Sequence, residues 1–297
     1  MGVKRGSTLE GPGWKIAQHS PNVHEVIFPN ITAGWEQWVL LSSDRHHDNV
    51  DTRWDIEKKH LDDALKRKAL ILDFGDLFCA MQGKWDPRSS KDKCRPEHQV
   101  PNYLDALVTT AADFYAPYSK LFGVIARGNH ETKIIDRAGT DLVGNLVHGL
   151  NNRGGNCYAG GYGGWVNFQF QMSTNRKSKR LKYFHGSGGG GYATRGTLDI
   201  GKQLAYIESA DIIINGHSHD AWYVPVKREH LSSSLVIEKD IVHFVRTPGY
   251  KDEYASGASG WWVETGKSPR PLGCAWLRFS YNSTDHSIDS QITMDVE

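Results

Sequence analysis

Ala210-Asp211-Ile212-Ile213-Ile214-Asn215-Gly216-His217-Ser218-His219 joins a short apolar run to a polar turn that carries two histidines two residues apart. A run this short and this rich in isoleucine reads as a buried strand, and the glycine and histidines read as the loop beyond its end. The same pattern occurs four more times upstream. Trp38–Asp44 (WVLLSSD) ends at Asp44, Ala69–Asp76 (ALILDFGD) ends at Asp76, Leu121–His130 (LFGVIARGNH) ends at His130, and RLKYFHG carries His185. Stretches of helical periodicity lie between these runs, from Thr52 to Lys68, Asn102 to Leu121, Ile134 to Leu150 and Gly196 to Ile207. Strands alternating with helices predict an α/β domain with a layered sheet core. Loops at strand ends are where such domains place their chemistry.

The rest of the chain is organised around that pattern. The first 37 residues, rich in Gly, Pro and Asn, read as an extension packed on the core, and residues 38–297 as one domain. Beyond His219 the runs Trp222 to Val226, Ser234 to Ile237, Ile241 to Arg246, CAWLRFSY and SQITMDV look like antiparallel strands, which predicts that residues 220–297 form a second sheet on the first. The 297 residues suffice for a sizeable core, with 39% hydrophobic and 23% charged residues and a mean hydropathy of −0.52. No stretch approaches the roughly 18–20 apolar residues of a membrane span, and no apolar segment follows the first charges, so the expected location is the cytoplasm. Thirty-five basic against 34 acidic residues give a net charge of +1. That balance argues against permanent residence on nucleic acid through charge alone, while leaving room for a local basic groove. Cys79, Cys94, Cys157 and Cys274 are too few and scattered for a disulfide scaffold and read as reduced thiols.

The five strand-end clusters supply Asp44 and His46, then Asp76, then Asn129 and His130, then His185, then His217 and His219. Carboxylate, imidazole and amide ligands without a thiolate suit a pair of hard or borderline divalent ions, such as Mn²⁺, Fe, Zn²⁺ or Ni²⁺, better than a structural zinc. Some alternatives stay open on sequence alone. His47 and Asp48 neighbour the first cluster, His148 and His243 compete with His185, and Asn129 with Glu131 also suits a helix start.

In order and wording the clusters resemble the calcineurin-like metallophosphoesterases, whose motifs run D-x-H, G-D, G-N-H-[DE], H and G-H-x-H. Here these stand as Asp44-Arg45-His46, Gly75-Asp76, Gly128-Asn129-His130-Glu131, His185 and Gly216-His217-Ser218-His219, and the resemblance covers about residues 38 to 220. The whole also resembles uncharacterised metallophosphoesterases encoded by bacteriophages. The resemblance implies a four-layer α/β/β/α sandwich of two mixed sheets flanked by helices. It implies that Asp44, His46 and His219 hold one metal ion, Asn129, His185 and His217 hold another, and Asp76 bridges them. A hydroxide bridging the ions would attack phosphorus, and His130, the non-ligand of its motif, would protonate the leaving alkoxide.

The motif after Asp76 continues Leu77-Phe78-Cys79-Ala80, without the V-D-R-G arginine of the protein phosphatases and with Cys79 where purple acid phosphatases place a tyrosine. The expected reaction is therefore hydrolysis of a phosphodiester in a nucleotide or nucleic acid. A phosphomonoesterase and a non-catalytic metal-binding scaffold are the alternatives. Substrate contacts are expected at Gly188 and Gly189 in the glycine-rich segment, whose bare backbone permits close approach, and at Tyr250, Lys251 and Tyr254 beyond the last strand before the tail. Arg176-Lys177-Ser178-Lys179-Arg180 reads as a solvated hairpin turn, with a phosphate-backbone contact as the alternative, and Lys91, Lys93 and Arg95 read as part of a polar insertion after Gly75-Asp76, with the same alternative.

Overall fold

The computed structural model describes residues 8–81, 93–188, 191, 193–255 and 261–297. Gly189 and Lys91 lie outside them. The described chain is mixed α/β, with two mixed sheets and six α-helices. The six-stranded sheet has the order β14-β13-β4-β5-β6-β7, with β4 at Glu36–Ser42, β5 at Leu70–Asp73, β6 at Phe122–Ile125, β7 at Tyr158–Ala159, β13 at Gly273–Asn282 and β14 at Ser287–Val296. The strands from β4 to β7 are parallel to one another, while β13 and β14 run antiparallel at the edge. The eight-stranded sheet has the order β1-β2-β3-β8-β9-β10-β12-β11. Its strands are β1 (Leu9–Gly11), β2 (Trp14–Ser20), β3 (Val23–Phe28), β8 (Gly163–Gln171), β9 (Arg176–Phe184), β10 (Ile212–Asn215), β11 (Trp222–Leu231) and β12 (Ile237–Arg246).

Parallel strands covered on both faces carry continuous apolar runs. Accordingly, every residue of β5, β6 and β10 is buried. Trp14, Val26, Phe28 and Phe168 of one sheet meet Val39, Leu41, Leu72 and Phe279 of the other in a core between the sheets. Leu40, Ile71 and Ile125 point the opposite way, into a cluster with helices α1 (Trp54–Arg67), α2 (Tyr103–Tyr115) and α4 (Leu142–Asn151). Ile213 and Phe244 on the outer face of the eight-stranded sheet pack beneath Ile200 and Leu204 of α5 (Leu198–Tyr206). Each fully buried side chain of this size contributes about 1.5–3 kcal/mol. Their alternation is what holds the two sheets face to face.

Four expectations are corrected. Residues 8–37 are more than an extension, because β1–β3 pair into the eight-stranded sheet, β3 lies parallel to β8, and Trp14 and Phe28 are fully buried in the core. The tail does not form a sheet of its own. Strand β10 needs a neighbour on its free side and takes β12, whereas β13 pairs with β4 in the other sheet. The stretch from Ile134 to Leu150 is two helices. The first, α3, spans Asn129–Ala138 and ends on Gly139 at φ 66°, and Asp141 caps α4 by accepting the Gly144 amide at 3.0 Å. The basic segment from Arg176 to Arg180 is likewise strand rather than turn, paired antiparallel with β8. No helix among the described residues is long and apolar enough to cross a membrane.

Candidate metal centre

The carboxyl ends of β4, β5, β6, β9 and β10 point to one place, where the edges of the two sheets meet. The loops leaving β4 and β5 are tied together by the Asp44 amide on the Gly75 carbonyl (2.8 Å) and the His46 amide on the Asp76 carbonyl (3.0 Å). The Gly216 amide bonds the His185 carbonyl at 2.8 Å, joining the ends of β10 and β9 within the eight-stranded sheet, and the Tyr250 amide bonds the Asp44 carbonyl at 3.1 Å, which ties the loop beyond β12 to the loop leaving β4 in the other sheet.

The side chains converge as two groups, Asp44 with His46 and His219, and Asp76 with His185 and His217. His46 Nε2 and His219 Nε2 stand 3.1 Å apart, and His219 Nε2 is 3.4 Å from Asp44 Oδ1. His185 Nε2 lies 3.1 Å from Asp76 Oδ2 and 3.2 Å from Asn129 Oδ1, which brings the amide into the second group. His185 Nδ1 faces the Phe74 carbonyl at 2.9 Å, so Nδ1 donates and Nε2 is turned inward. Asp44 Oδ1 and His217 Nδ1 are buried with no hydrogen-bond partner. Oxygen and imidazole donors separated by 3.1–3.4 Å, with a buried carboxylate oxygen left over, fit divalent cations.

The backbone supports that fit. Asp44, His46, Asp76, His217 and His219 all have positive φ, between 45° and 72°. Such conformations cost on the order of 1–3 kcal/mol each for a non-glycine residue. Among the described residues eleven non-glycine positions have positive φ, so nearly half of this strain sits in one site. Glycines clear the space around it. A Cβ on Gly128 would stand 2.1 Å from Asp76 Oδ1, one on Gly216 would meet Asp44 Oδ2 at 2.5 Å, and one on Gly186 would meet His217 Cβ at 2.7 Å.

The electrostatics keep most of the set in ligating form. Burial alone would raise the Asp44 carboxyl, yet the facing His219 holds it well below the usual carboxylate range. Asp76 behaves in the same way, with His185 and His130 overcoming burial. Burial, with His130 and His219 close by, lowers His46, and burial with His185 close by lowers His217. His185 moves the other way: the Asp76 carboxylate outweighs burial and raises it to about 10. The positive charge that these carboxylates attract resides there.

His130 opens α3 beside the site. Its ring lies 5.0 Å from that of His46, and its Nε2 is 3.8 Å from Asp76 Oδ2. Its Nδ1 donates to the Cys79 carbonyl at 2.6 Å. Asp48 pins that carbonyl's segment by accepting the Cys79 amide at 2.5 Å and the Ala80 amide at 2.9 Å. The alternatives to the first and fourth clusters fall elsewhere. His47 stacks on Trp54 at 4.7 Å, His148 bonds Asn152, and His243 stacks on Tyr223.

Two supports lie outside the ligand set expected from sequence, where Glu131 reads only as suiting a helix start. Glu131 is fully buried and accepts the Gly128 amide (2.8 Å), the Asp76 amide (3.2 Å) and the Phe78 amide (2.9 Å), locking two motifs together. Burial and the Asp76 carboxylate push it up to about 8. Its place three residues beyond Gly128, the N-cap of α3, lets its carboxylate take the N-cap amide, the acidic half of a capping box. Arg45 is also fully buried, bonding Asp73 (2.7 Å), Glu57 (2.7 Å) and Ser42 (2.8 Å) beneath the loops.

The expected substrate contacts fare unevenly. Gly188 has φ +71° and nothing within 4 Å of a Cβ position, so it is an open loop residue that blocks nothing. Lys251 is mostly buried and bonds Glu253 at 2.7 Å. Tyr250 is corrected: it is fully buried, packed under Arg45 and bonded to His60 Nδ1 at 3.1 Å, so no base can stack on it. Its neighbour Tyr254 is exposed and bonds the Lys267 carbonyl.

No protein-family model matches the chain, and no curated protein matches it. Similar solved structures include GAP50, the anchor in the inner membrane complex of Plasmodium, 11% identical over 87% of this chain and 84% of that chain with a TM-score of 0.43. They also include a solution NMR structure of Thermotoga maritima protein TM1076, 11% identical over 87% of this chain and 99% of that chain with a TM-score of 0.32.

Proposed function

We propose that the protein is a phosphoesterase of the calcineurin-like type that hydrolyses a phosphodiester of a nucleotide or nucleic acid with two divalent metal ions. The carrying observation is the strained convergence: five residues held at positive φ aim carboxylates and imidazoles at one another across two sheets. Strain of this kind persists where the surrounding structure over-determines it, and it clusters at active sites. The layering of helices, sheet, sheet and helix agrees with the sandwich that the motif resemblance implies.

Asp44, His46 and His219 would hold one ion and Asn129, His185 and His217 the other, with Asp76 between them. Mn²⁺ is the first choice, with Fe, Zn²⁺ or Ni²⁺ as alternatives. When bound, such a pair supplies Lewis-acid neutralisation of phosphoryl charge and acidifies water at neutral pH. The chain does the rest. Asp76 is kept ionised and aimed by the His130 amide at 2.9 Å. Because the Cys79 carbonyl holds His130 Nδ1–H, Nε2 is the atom that delivers a proton to the departing alkoxide.

A diester is favoured because, among the described residues, Lys251, Arg127 and Arg246 near the site are already paired, with Glu253, Asp141 and Asp199 in turn. A phosphomonoester dianion asks for a further unpaired cation. The test is to compare a bis-aryl with a mono-aryl phosphate in the presence of Mn²⁺. The proposal expects faster cleavage of the bis-aryl ester. A preference for the mono-aryl ester makes the protein a phosphatase, and hydrolysis of neither ends the catalytic reading.

A further inference from the structure

A second group of metal-ligating side chains shares no residue with the site above. His60 on α1 faces Cys274 on β13 and Asp295 on β14, and one ligand atom from each lies within 4.8 Å of the other two. The topology makes this grouping rigid. Cys274 and Asp295 are direct cross-strand partners, so their side chains emerge on the same face of the six-stranded sheet. Helix α1 covers that face and lowers His60 onto them.

Hydrogen bonding alone leaves the group incomplete. His60 is fully buried, and its Nε2 has no hydrogen-bond partner. Asp295 Oδ2 stands 3.6 Å from it. That is too long for an N–H···O bond, which spans 2.7–3.2 Å. It does match the separation of two ligands on one tetrahedral ion, since zinc bonds of about 2.0–2.3 Å place neighbouring donors roughly 3.3–3.8 Å apart.

The surroundings orient two of the donors. Tyr250 Oη lies 3.1 Å from His60 Nδ1. In the tautomer whose Nδ1–H is donated to that oxygen, the imidazole presents a bare Nε2 toward Asp295. Trp276 Nε1 donates to Asp295 Oδ2 at 3.1 Å and so orients the carboxylate. Such outer partners are what tune and aim first-sphere ligands. Asp295 is about a third exposed and leaves an entry path, whereas Cys274 is sealed.

We propose that His60, Cys274 and Asp295 form a mononuclear site for a thiophilic divalent cation, Zn²⁺ by preference, which clamps α1 to the β13–β14 hairpin. Imidazole, thiolate and carboxylate are zinc's ordinary donors, and solvent can complete the tetrahedron on the Asp295 side. Binding would release the Cys274 proton to water, leaving a thiolate neutralised by the ion.

Cobalt(II) provides the test on the full-length protein. The dinuclear set contains no cysteine, so a thiolate-to-cobalt charge-transfer band in the near ultraviolet reports this site even if the phosphoesterase reading fails. The expected result is a band that titrates to one cobalt–thiolate per chain and is displaced by Zn²⁺. It should persist in Cys79→Ser, the control for the cysteine beside His46 and His130, and vanish in Cys274→Ser. Asp295→Asn is partly exposed and isosteric, so it keeps the test open should Cys274→Ser fail to fold; it should weaken cobalt binding at the band by at least about tenfold. Absence of a band in the wild-type protein overturns the proposal. So does a band that survives Cys274→Ser or that Asp295→Asn leaves unchanged.

Discussion

Gly128→Ala is the sharpest small perturbation of the candidate metal centre. The added methyl would stand 2.1 Å from Asp76 Oδ1, about 1.3 Å short of the 3.4 Å at which ordinary contact begins, and 2.5 Å from the Asp76 amide nitrogen. The backbone of Gly128, at φ −105°, is open to alanine, so the effect is steric. Asp76 cannot swing aside freely, because the His130 amide holds its Oδ1 and Glu131 holds its own amide. Either the Asp76 carboxylate moves or the start of α3 backs away with Asn129 and His130. A displacement near 1 Å costs about 100-fold in rate, and the overpacking costs roughly 1–3 kcal/mol of stability. Gly201→Ala in α5 is the control, with nothing within 4 Å of its Cβ position, and should stabilise by about 0.4–1 kcal/mol. Metal content by mass spectrometry, bis-aryl phosphate turnover and thermal unfolding read the three effects. If Gly128→Ala keeps two ions and full turnover, Asp76 is not the bridge.

Three further outcomes follow from the same geometry. His130→Ala should retain both ions while losing about 10²- to 10⁴-fold in turnover; loss of the metals instead would make His130 a ligand. Arg45→Met should destabilise by about 3–5 kcal/mol in urea unfolding, because Asp73 and Glu57 are then buried without their cation; a change within experimental error would mean that the two carboxyls protonate without cost. Burial alone would raise Glu57, yet His47 and Arg45 bring it down from 4.5 to about 2. A depressed carboxyl contributes stability above its unfolded value, and that contribution, on the order of 3 kcal/mol, is lost as pH falls from about 4.5 through about 2. Glu57→Gln should flatten the stability profile in that window, and an unchanged slope would assign the acid sensitivity to other groups.

Most of the candidate ligands were legible in the sequence because they follow buried parallel strands, whose uniform apolar runs and abrupt polar ends leave a clear mark, as in Leu70–Asp73 before Gly75-Asp76, whereas His185 follows β9, whose first half is basic and exposed. The break between α3 and α4 was also written there, in Gly139 and the capping Asp141, but the apolar periodicity running past them hid it. Other features depend on contacts that no local pattern encodes. Val23–Phe28 looks like any short edge strand until β8 pairs with it from 140 residues away, and Tyr250 looks like a loop aromatic until Arg45 and His60 enclose it. Arg45 sits between two motif residues, and only its burial with Asp73 and Glu57 marks it as a support.

The central claim is that the residues between Asp44 and His219 hold two ions that act on a phosphoester. Anomalous diffraction from crystals grown with Mn²⁺ tests it most directly. The account predicts two manganese peaks, one among Asp44, His46 and His219, one among Asn129, His185 and His217, with Asp76 touching both. A single peak, or peaks away from these side chains, would contradict it.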